Sequence, residues 1–342
     1  LSIDSYKTSA LQFVYDHDFA HVNGIIKKTK EKALQNSISE ELNIKLDADL
    51  LNNPQLVINH LNKHKEIVVQ DVKNKLYLIS NTGKILWKKQ LDGAVLGQIE
   101  QIDIYKNGRL QLAFTTPHKL YIIDRNGNDV SPFPGNFNDA ITQPLSVFDY
   151  EKTKNYRLLI TQGKNILMYD TGLKTVDGFN FKSANNTIIS QPQHFRIGTK
   201  DYIAFKTQNK LYFLDRTGNI RINPKTTSSF SNEAIYVYND KFITTSTEGN
   251  LITIDTRGNS VSQNLNLSEQ HHIDASSKTL VTLSDNKLAI KGNSYELDFG
   301  SYTIPKLFYL QDKIYVAVTD LQTQKVYMFD SNAKLLSNFP VY

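Results

Sequence analysis

The sequence predicts an all-β fold, a β-propeller of seven or eight four-stranded blades with a short non-propeller N-terminal segment, and three observations carry that prediction. The first is a recurring strand–turn–strand phrase. It reads Lys75-Leu76-Tyr77-Leu78-Ile79-Ser80-Asn81-Thr82-Gly83, returns at 119–127 and 210–218, and has looser copies at 165–172, 250–258, 287–292 and 325–333. The second is spacing: the corresponding residues Ser80, Asp124, Asp170, Asp215, Asp255, Gly292 and Asp330 lie 37 to 46 residues apart, the length of one propeller blade. The third is turn chemistry. Asp leads the turn, where its carboxylate can accept from backbone N–H groups further along, and Gly stands fourth to supply a positive φ. Asp124/Gly127, Asp215/Gly218 and Asp255/Gly258 meet both conditions, Ser80/Gly83 substitutes a hydroxyl, and Gly292 and Ala333 break the pattern in the last two units.

In chain order, residues 1–50 hold no copy of the repeat and are expected to be the end of an upstream α+β domain plus one strand. Short strands are expected at 11–15 and 22–26, and a helical turn at 29–34. Leu42, Ile44, Leu46, Ala48 and Leu50 alternate with polar residues, the period-two pattern of a half-buried strand. That strand is expected to serve either as the outer strand of another blade or as part of an eighth. The propeller occupies 51–342, each unit running through strands A to D. Unit one uses 55–59, 66–71, 75–80 and 84–89; unit two 100–105, 110–115, 119–124 and a poor outer strand at 129–133. Unit three uses 145–150, 156–162, 165–170 and 175–179; unit four 194–197, 202–207, 210–215 and 219–223. Unit five uses 234–238, 241–246, 250–255 and 260–264; unit six 273–276, 279–284, 287–291 and 294–299; unit seven 306–310, 313–319, 325–330 and 334–339. Strand C is apolar on both faces because a neighbouring sheet covers each side.

Composition narrows the function. The 342 residues include no cysteine, which removes thiol nucleophiles and cysteine metal sites. Basic residues (39) barely outnumber acidic ones (34), and the one dense basic run, Lys27-Lys28-Thr29-Lys30-Glu31-Lys32, reads as a solvated surface rather than a nucleic-acid or membrane contact. No apolar stretch approaches the ~20 residues of a spanning helix. The start does not resemble a signal peptide, and a chain opening on Leu reads as a mature or partial product.

The phrase Thr82-Gly83-Lys84-Ile85-Leu86-Trp87 resembles the Gly-x-x-x-Trp signature of quinoprotein-type propeller repeats, which the outer-membrane-barrel assembly lipoprotein shares. With Glu66-Ile67-Val68-Val69-Gln70-Asp71 and Tyr105-Lys106-Asn107-Gly108-Arg109-Leu110-Gln111-Leu112-Ala113-Phe114, the chain from about Phe13 onward is similar to a family of Bacteroidota envelope proteins. Members carry an N-terminal α+β domain and a C-terminal quinoprotein-like propeller. The resemblance implies a lipoprotein of the periplasm or outer-membrane surface, anchored upstream of residue 1, with further sequence on both sides of the chain. It contributes no catalytic residues.

Each chemical signature is incomplete. Quinone-dependent oxidation needs vicinal cysteines and acidic calcium ligands. The loops at 103–110 and 149–155 resemble the calcium loops of integrin-like propellers, but Lys106, Lys152 and Lys154 stand at or beside ligand positions. His17/His21 and His60/His64 are four apart and His271/His272 adjacent, without the helical setting that would align metal ligands. No nucleophile elbow or phosphate loop occurs. No catalytic residue, cofactor or metal is therefore expected.

Two connections after strand D are long and carry aromatic and amide side chains: Phe133, Phe137 and Asn138 in one, and Phe179, Phe181, Asn185 and Asn186 in the other. They form the candidate interaction surface, with inward folding of the phenylalanines as the competing structural role. The expectation is a non-enzymatic envelope protein whose propeller scaffolds a protein partner within an outer-membrane complex. The alternative is a carbohydrate-active enzyme or glycan-binding sensor at the channel mouth.

Overall fold

The structure, a computed structural model, describes residues 6–16, 19–28, 44–226 and 228–341. All its regular elements are strands, arranged as five four-stranded sheets, two three-stranded sheets and one two-stranded sheet. The repeat therefore yields seven blades, and the fold is a seven-bladed β-propeller. Residues group into two compact units, Leu46–Glu269 and a second formed by Leu1–Lys45 with Gln270–Tyr342.

Blades one to five lie in the first unit. Blade one pairs Gln55–Ile58, Lys65–Gln70, Lys75–Ile79 and Ile85–Gln90. Blade two pairs Glu100–Ile102, Gln111–Thr115, Lys119–Ile123 and Gly135–Asn136. Blade three pairs Ser146–Phe148, Arg157–Gln162 and Asn165–Tyr169. Blade four pairs Gln193–Ile197, Lys200–Lys206, Leu211–Leu214 and Ile220–Ile222. Blade five pairs Tyr236–Tyr238, Lys241–Thr245, Asn250–Ile254 and Ser260–Asn264. All neighbours are antiparallel, so A–B and C–D turns gather at one end of each blade and B–C turns and D–A connections at the other.

The core is a series of seams between blades. Leu76, Tyr77, Leu78 and Ile79 are all buried, as a strand C covered on both faces must be. Leu76 and Leu78 of blade one meet Leu112, Phe114 and Ile123 of blade two. Phe213 of blade four stands 4.4 Å from the Phe242 ring of blade five. In the second unit, Leu283 and Leu288 of blade six pack with Val316, Val318 and Phe329 of blade seven.

The turns behave as their residues dictate. Asp124 Oδ1 accepts from the N–H groups of Asn126 and Asn128 at 2.8 and 2.9 Å. Asp215 and Asp255 do the same two and four residues on, and Ser80 Oγ stands in with a longer 3.3 Å contact to Thr82 N–H. Ala333 takes the glycine place in blade seven with φ 59°. Blade six uses a two-residue turn, Lys291 and Gly292 at φ 52° and 86°, between the paired Ile290 and Asn293.

Two expectations are corrected, those for the long connections and for 42–50, while the outer strand expected for unit seven is present. Residues 132–143 and 179–191 are not wholly connections: Gly135–Asn136 pairs with Leu120 and Lys119, and Ser183 bridges Asn165. They continue strand D after a kink. The turn Asp and its copy of this kink recur in blade seven, where Phe329 bridges Leu335 and Val326 bridges Val341. Blade seven thus has its own outer strand. Finally, the described part of 42–50 is no extended strand. It makes one bridge, Leu50 to Asp71, and Asp47 reaches Lys75 and Lys88 at 3.0 and 2.8 Å. Leu42 lies outside the described residues, as do the 29–34 turn and most of the basic run. The strands expected at 11–15 and 22–26 belong to a hairpin of Tyr6–Asp16 with Phe19–Lys28.

Candidate functional site

The aromatic half of the expected rim faces inward. Phe133 and Phe179 are buried in the seams of blades two–three and three–four. Phe137 is half-buried against Tyr169 at 5.7 Å, and Phe181 packs edge-on against Phe205 and Tyr212. The cause is visible in the repeat. Phe133, Phe179 and Phe339 each lie nine residues after the turn Asp, and the N–H of each donates to the carbonyl three residues back, of Val130, Val176 and Leu336. A position repeated in three blades serves the blade. Asn185 is also tied down, since its Oδ1 accepts from Tyr212 Oη at 2.9 Å. Asn138 and Asn186 are exposed.

At the opposite end, the A–B turns of blades one and two form one surface. Ile58 N–H donates to Gln101 Oε1 at 2.7 Å, and Leu110 N–H donates to His60 Nδ1 at 3.1 Å. The two joined turns carry Ile58, Leu61 and Tyr105 at 46, 73 and 59 % exposure. The same two turns carry Lys63, Lys65, Lys106 and Arg109, all exposed, and the Lys106 ammonium donates to Asn155 Oδ1 on the neighbouring turn of blade three. The sequence alternation did not single these residues out, because an apolar residue in a short turn carries no periodic signal.

The two loops compared with calcium sites are closed by protein groups. Asp103 accepts from the N–H groups of Asn107 and Gly108 at 3.1 and 2.8 Å, and the Lys154 ammonium sits on its Oδ2. Burial alone would raise the Asp103 carboxyl; Lys154 and the two N–H groups hold it below its usual value. Asp149 likewise accepts from Thr153 and Lys154 N–H at 3.0 and 2.8 Å. A lysine thus supplies the positive charge over Asp103. His60 and His64 bond to Leu110 N–H and the Asn81 amide; the side chains of His17 and His21 lie outside the described residues.

Between blades three and four a cleft of about 370 Å³ opens at the same end, lined by Tyr150, Arg157, Asp177, Phe179 and Arg216 among others. Below it, Asp201 takes bonds from His194 at 2.7 Å, Arg196 at 2.8 Å and Arg216 Nε at 2.6 Å. Burial opposes ionisation of Asp201, but Arg196, His194 and Arg216 outweigh it and bring the carboxyl down to about 2. The Arg216 guanidinium lies 4.9 Å over the Tyr150 ring. The Tyr150 hydroxyl is shielded and has no hydrogen-bond partner, and burial pushes its ionisation up.

The innermost strands are joined by amides. Gln55 accepts from Ile99 N–H at 2.7 Å and donates to Gly97 O at 3.1 Å. Gln143 donates to Ile188 O and Gln191 to Leu145 O at 3.0 and 2.8 Å. Among the strand A residues of blades one to five, Glu100 is the one carboxylate. Nothing in this set places two acids across a substrate.

No protein-family profile and no curated protein matches the sequence. Solved structures do match the fold. BamB from Moraxella catarrhalis is similar at 13 % identity and TM-score 0.59, covering 98 % of this chain and 99 % of that one. The Dos1 propeller is similar at 11 % identity and TM-score 0.60, over 85 % of this chain and 84 % of its own. BBS1N, solved in complex with ARL6DN, is similar at 12 % identity and TM-score 0.53, over 84 % and 91 %. At such identities the likeness is one of fold.

Proposed function

We propose that this chain is a non-enzymatic scaffold of the cell envelope, whose propeller binds a protein partner within an outer-membrane complex. One observation carries the reading: Ile58, Leu61 and Tyr105 are exposed on the hydrogen-bonded A–B turns of blades one and two, which also carry the exposed cations Lys63, Lys65, Lys106 and Arg109. Exposed apolar side chains gathered within a polar rim are the mark of a protein contact. The partner that fits offers an apolar knob set among acidic residues. The exposed amides of Asn138 and Asn186 at the other end offer a second, weaker contact. BBS1N, a protein of this fold, is seen in complex with another protein. Envelope placement, a lipid anchor upstream of residue 1 and membership of the Bacteroidota family rest on the resemblance in the repeat phrase. The carbohydrate-active alternative gains little from strand A segments of blades one to five in which Glu100 is the one carboxylate.

The test is a pull-down from detergent-solubilised envelopes, run beside a glycan array. One protein retained by the native chain and lost with Leu61→Asp or Tyr105→Asp is expected. Clear glycan binding with no retained protein would overturn the reading.

A further inference from the structure

The outer strand of blade five differs from every other outer strand among the described residues. Blade one's carries Lys88 and Lys89 and a register shift. Blade two's is two residues long, and blade four's is three with Arg221 and a shift. Blade six's holds Glu296, and in blades three and seven the outer strand is reduced to isolated bridges. Short length, charge and irregularity all blunt a sheet edge against pairing. Ser260–Asn264 has none of these. It is five uncharged residues, Ser-Val-Ser-Gln-Asn, in unbroken register with Asn250–Ile254.

The direction of its free groups follows from the ladder. Asp255 N–H bonds Asn259 O at 3.0 Å, and antiparallel pairs alternate between bonded and non-bonded. Val261 and Gln263 therefore turn their backbone groups to strand C, and Ser260, Ser262 and Asn264 turn theirs outward. Charge is divided along the same edge. Arg257 and Lys225 flank the Ser260 end; Lys225 O accepts from Ser260 Oγ at 2.6 Å, and Arg257 is 83 % exposed despite its 3.3 Å contact to Asp255. Exposed Glu248 and Glu269 lie toward the Asn264 end.

We propose that this edge pairs with the same edge of a second copy of the chain, antiparallel about a two-fold axis through Ser262. In that arrangement Ser260 faces the partner's Asn264, so outward groups meet outward groups throughout. The cationic end of each copy then meets the acidic end of the other, which makes the edge complementary to itself. Five residues bury less than the ~1,200 Å² of a stable interface. The dimer therefore forms in a concentration-dependent way and weakens as salt screens the end charges.

Because the chain has no native cysteine, Ser262→Cys tests the geometry directly. Bonded antiparallel pairs stand about 5.5 Å apart between Cα atoms, within the range of a disulfide. Under mild oxidation the purified Ser262→Cys chain should give covalent dimer at least tenfold faster than Thr153→Cys, an exposed control at an A–B turn. Ser262→Pro, checked for native folding by Trp87 fluorescence, should abolish concentration-dependent dimer in sedimentation. Equal rates for the two cysteine variants, a chain that stays monomeric at every concentration, or selective capture of a different protein at Ser262→Cys would overturn the proposal. None of these results depends on the partner surface of blades one and two.

Discussion

Trp87 and Asp177 occupy the same place in the repeat, seven residues after Ser80 and Asp170, yet the seams beside them are built differently. The Trp87 indole lies on Gly127 of the next blade and its Nε1–H donates to Arg125 O at 2.7 Å. A Cβ on Gly127 would meet the ring at 2.9 Å. Beneath, Arg125 pairs with buried Glu66. At the three–four seam the matching residue is exposed Asp177, and the Phe179 ring with the backbone nitrogens of Asn180 and Phe181 takes the indole's place against Gly218. That leaves the cleft of Tyr150, Arg157 and Arg216. One repeated backbone thus gives either a sealed seam or a charged hollow, according to one side chain.

The largest test of this contrast compares two glycines with the same backbone. Gly127 and Gly178 have φ of 83° and 80°, but only Gly127 has atoms within 4 Å of an added Cβ. Gly127→Ala is expected to cost about 3 kcal/mol, from backbone strain plus the displaced indole, and Gly178→Ala about 1 kcal/mol from strain alone. Urea unfolding followed by Trp87 fluorescence measures both. Equal losses would mean that the docked indole adds nothing.

Asp201→Asn comes next, at about 2 kcal/mol near neutral pH, since the carboxylate loses its charge-assisted bonds. Because its folded value is about 2 against an ordinary 3.8, the stabilisation is complete above pH 4 and disappears as pH falls through 2. The variant should lose that acid dependence in unfolding titrations.

The seam between blades four and five holds a third case, buried Lys206, whose ammonium donates to Glu233 O and to Thr244 Oγ1 at 2.7 Å. Burial lowers it from 10.5 to about 7, with Glu233 opposing in part. The unfolded chain therefore binds more protons between those values, and native stability should rise from pH 7 to 10. Lys206→Met should flatten the rise while the far-ultraviolet spectrum stays unchanged. The smallest effect is expected from Asp177→Ala, within about 0.5 kcal/mol, because its exposed carboxylate seals nothing.

Much of the fold was legible because blades repeat. Turn aspartates, strand C and the blade length are each written seven times with variations, so a local ambiguity in one copy is resolved by the others. Phe133 and Phe179 were readable as structural by the same logic, through their shared offset with Phe339, but their neighbouring amides suggested a rim. The first part of the outer strand in blades two, three and seven was legible at 129–133, 175–179 and 334–339, but its continuation was hidden by a kink that interrupts the period-two pattern. Ile58, Leu61, Tyr105 and the Tyr150 cleft were not legible, since each depends on turns brought together from different blades. The alternation survives in the exposure pattern of 44–49 without a strand, because Asp47 and Leu50 are held by side-chain and single-bridge contacts instead of a ladder.

The most direct measurement of the scaffold reading is site-specific photocrosslinking in intact cells, with the reactive side chain placed at Leu61, Tyr105, Asn138 and Asn186 in turn. The same single protein captured strongly from Leu61 and Tyr105, and more weakly from the other two, is the predicted result. Capture confined to Asn138 and Asn186, with Leu61 and Tyr105 silent, would contradict the assignment of the A–B turns as the docking surface.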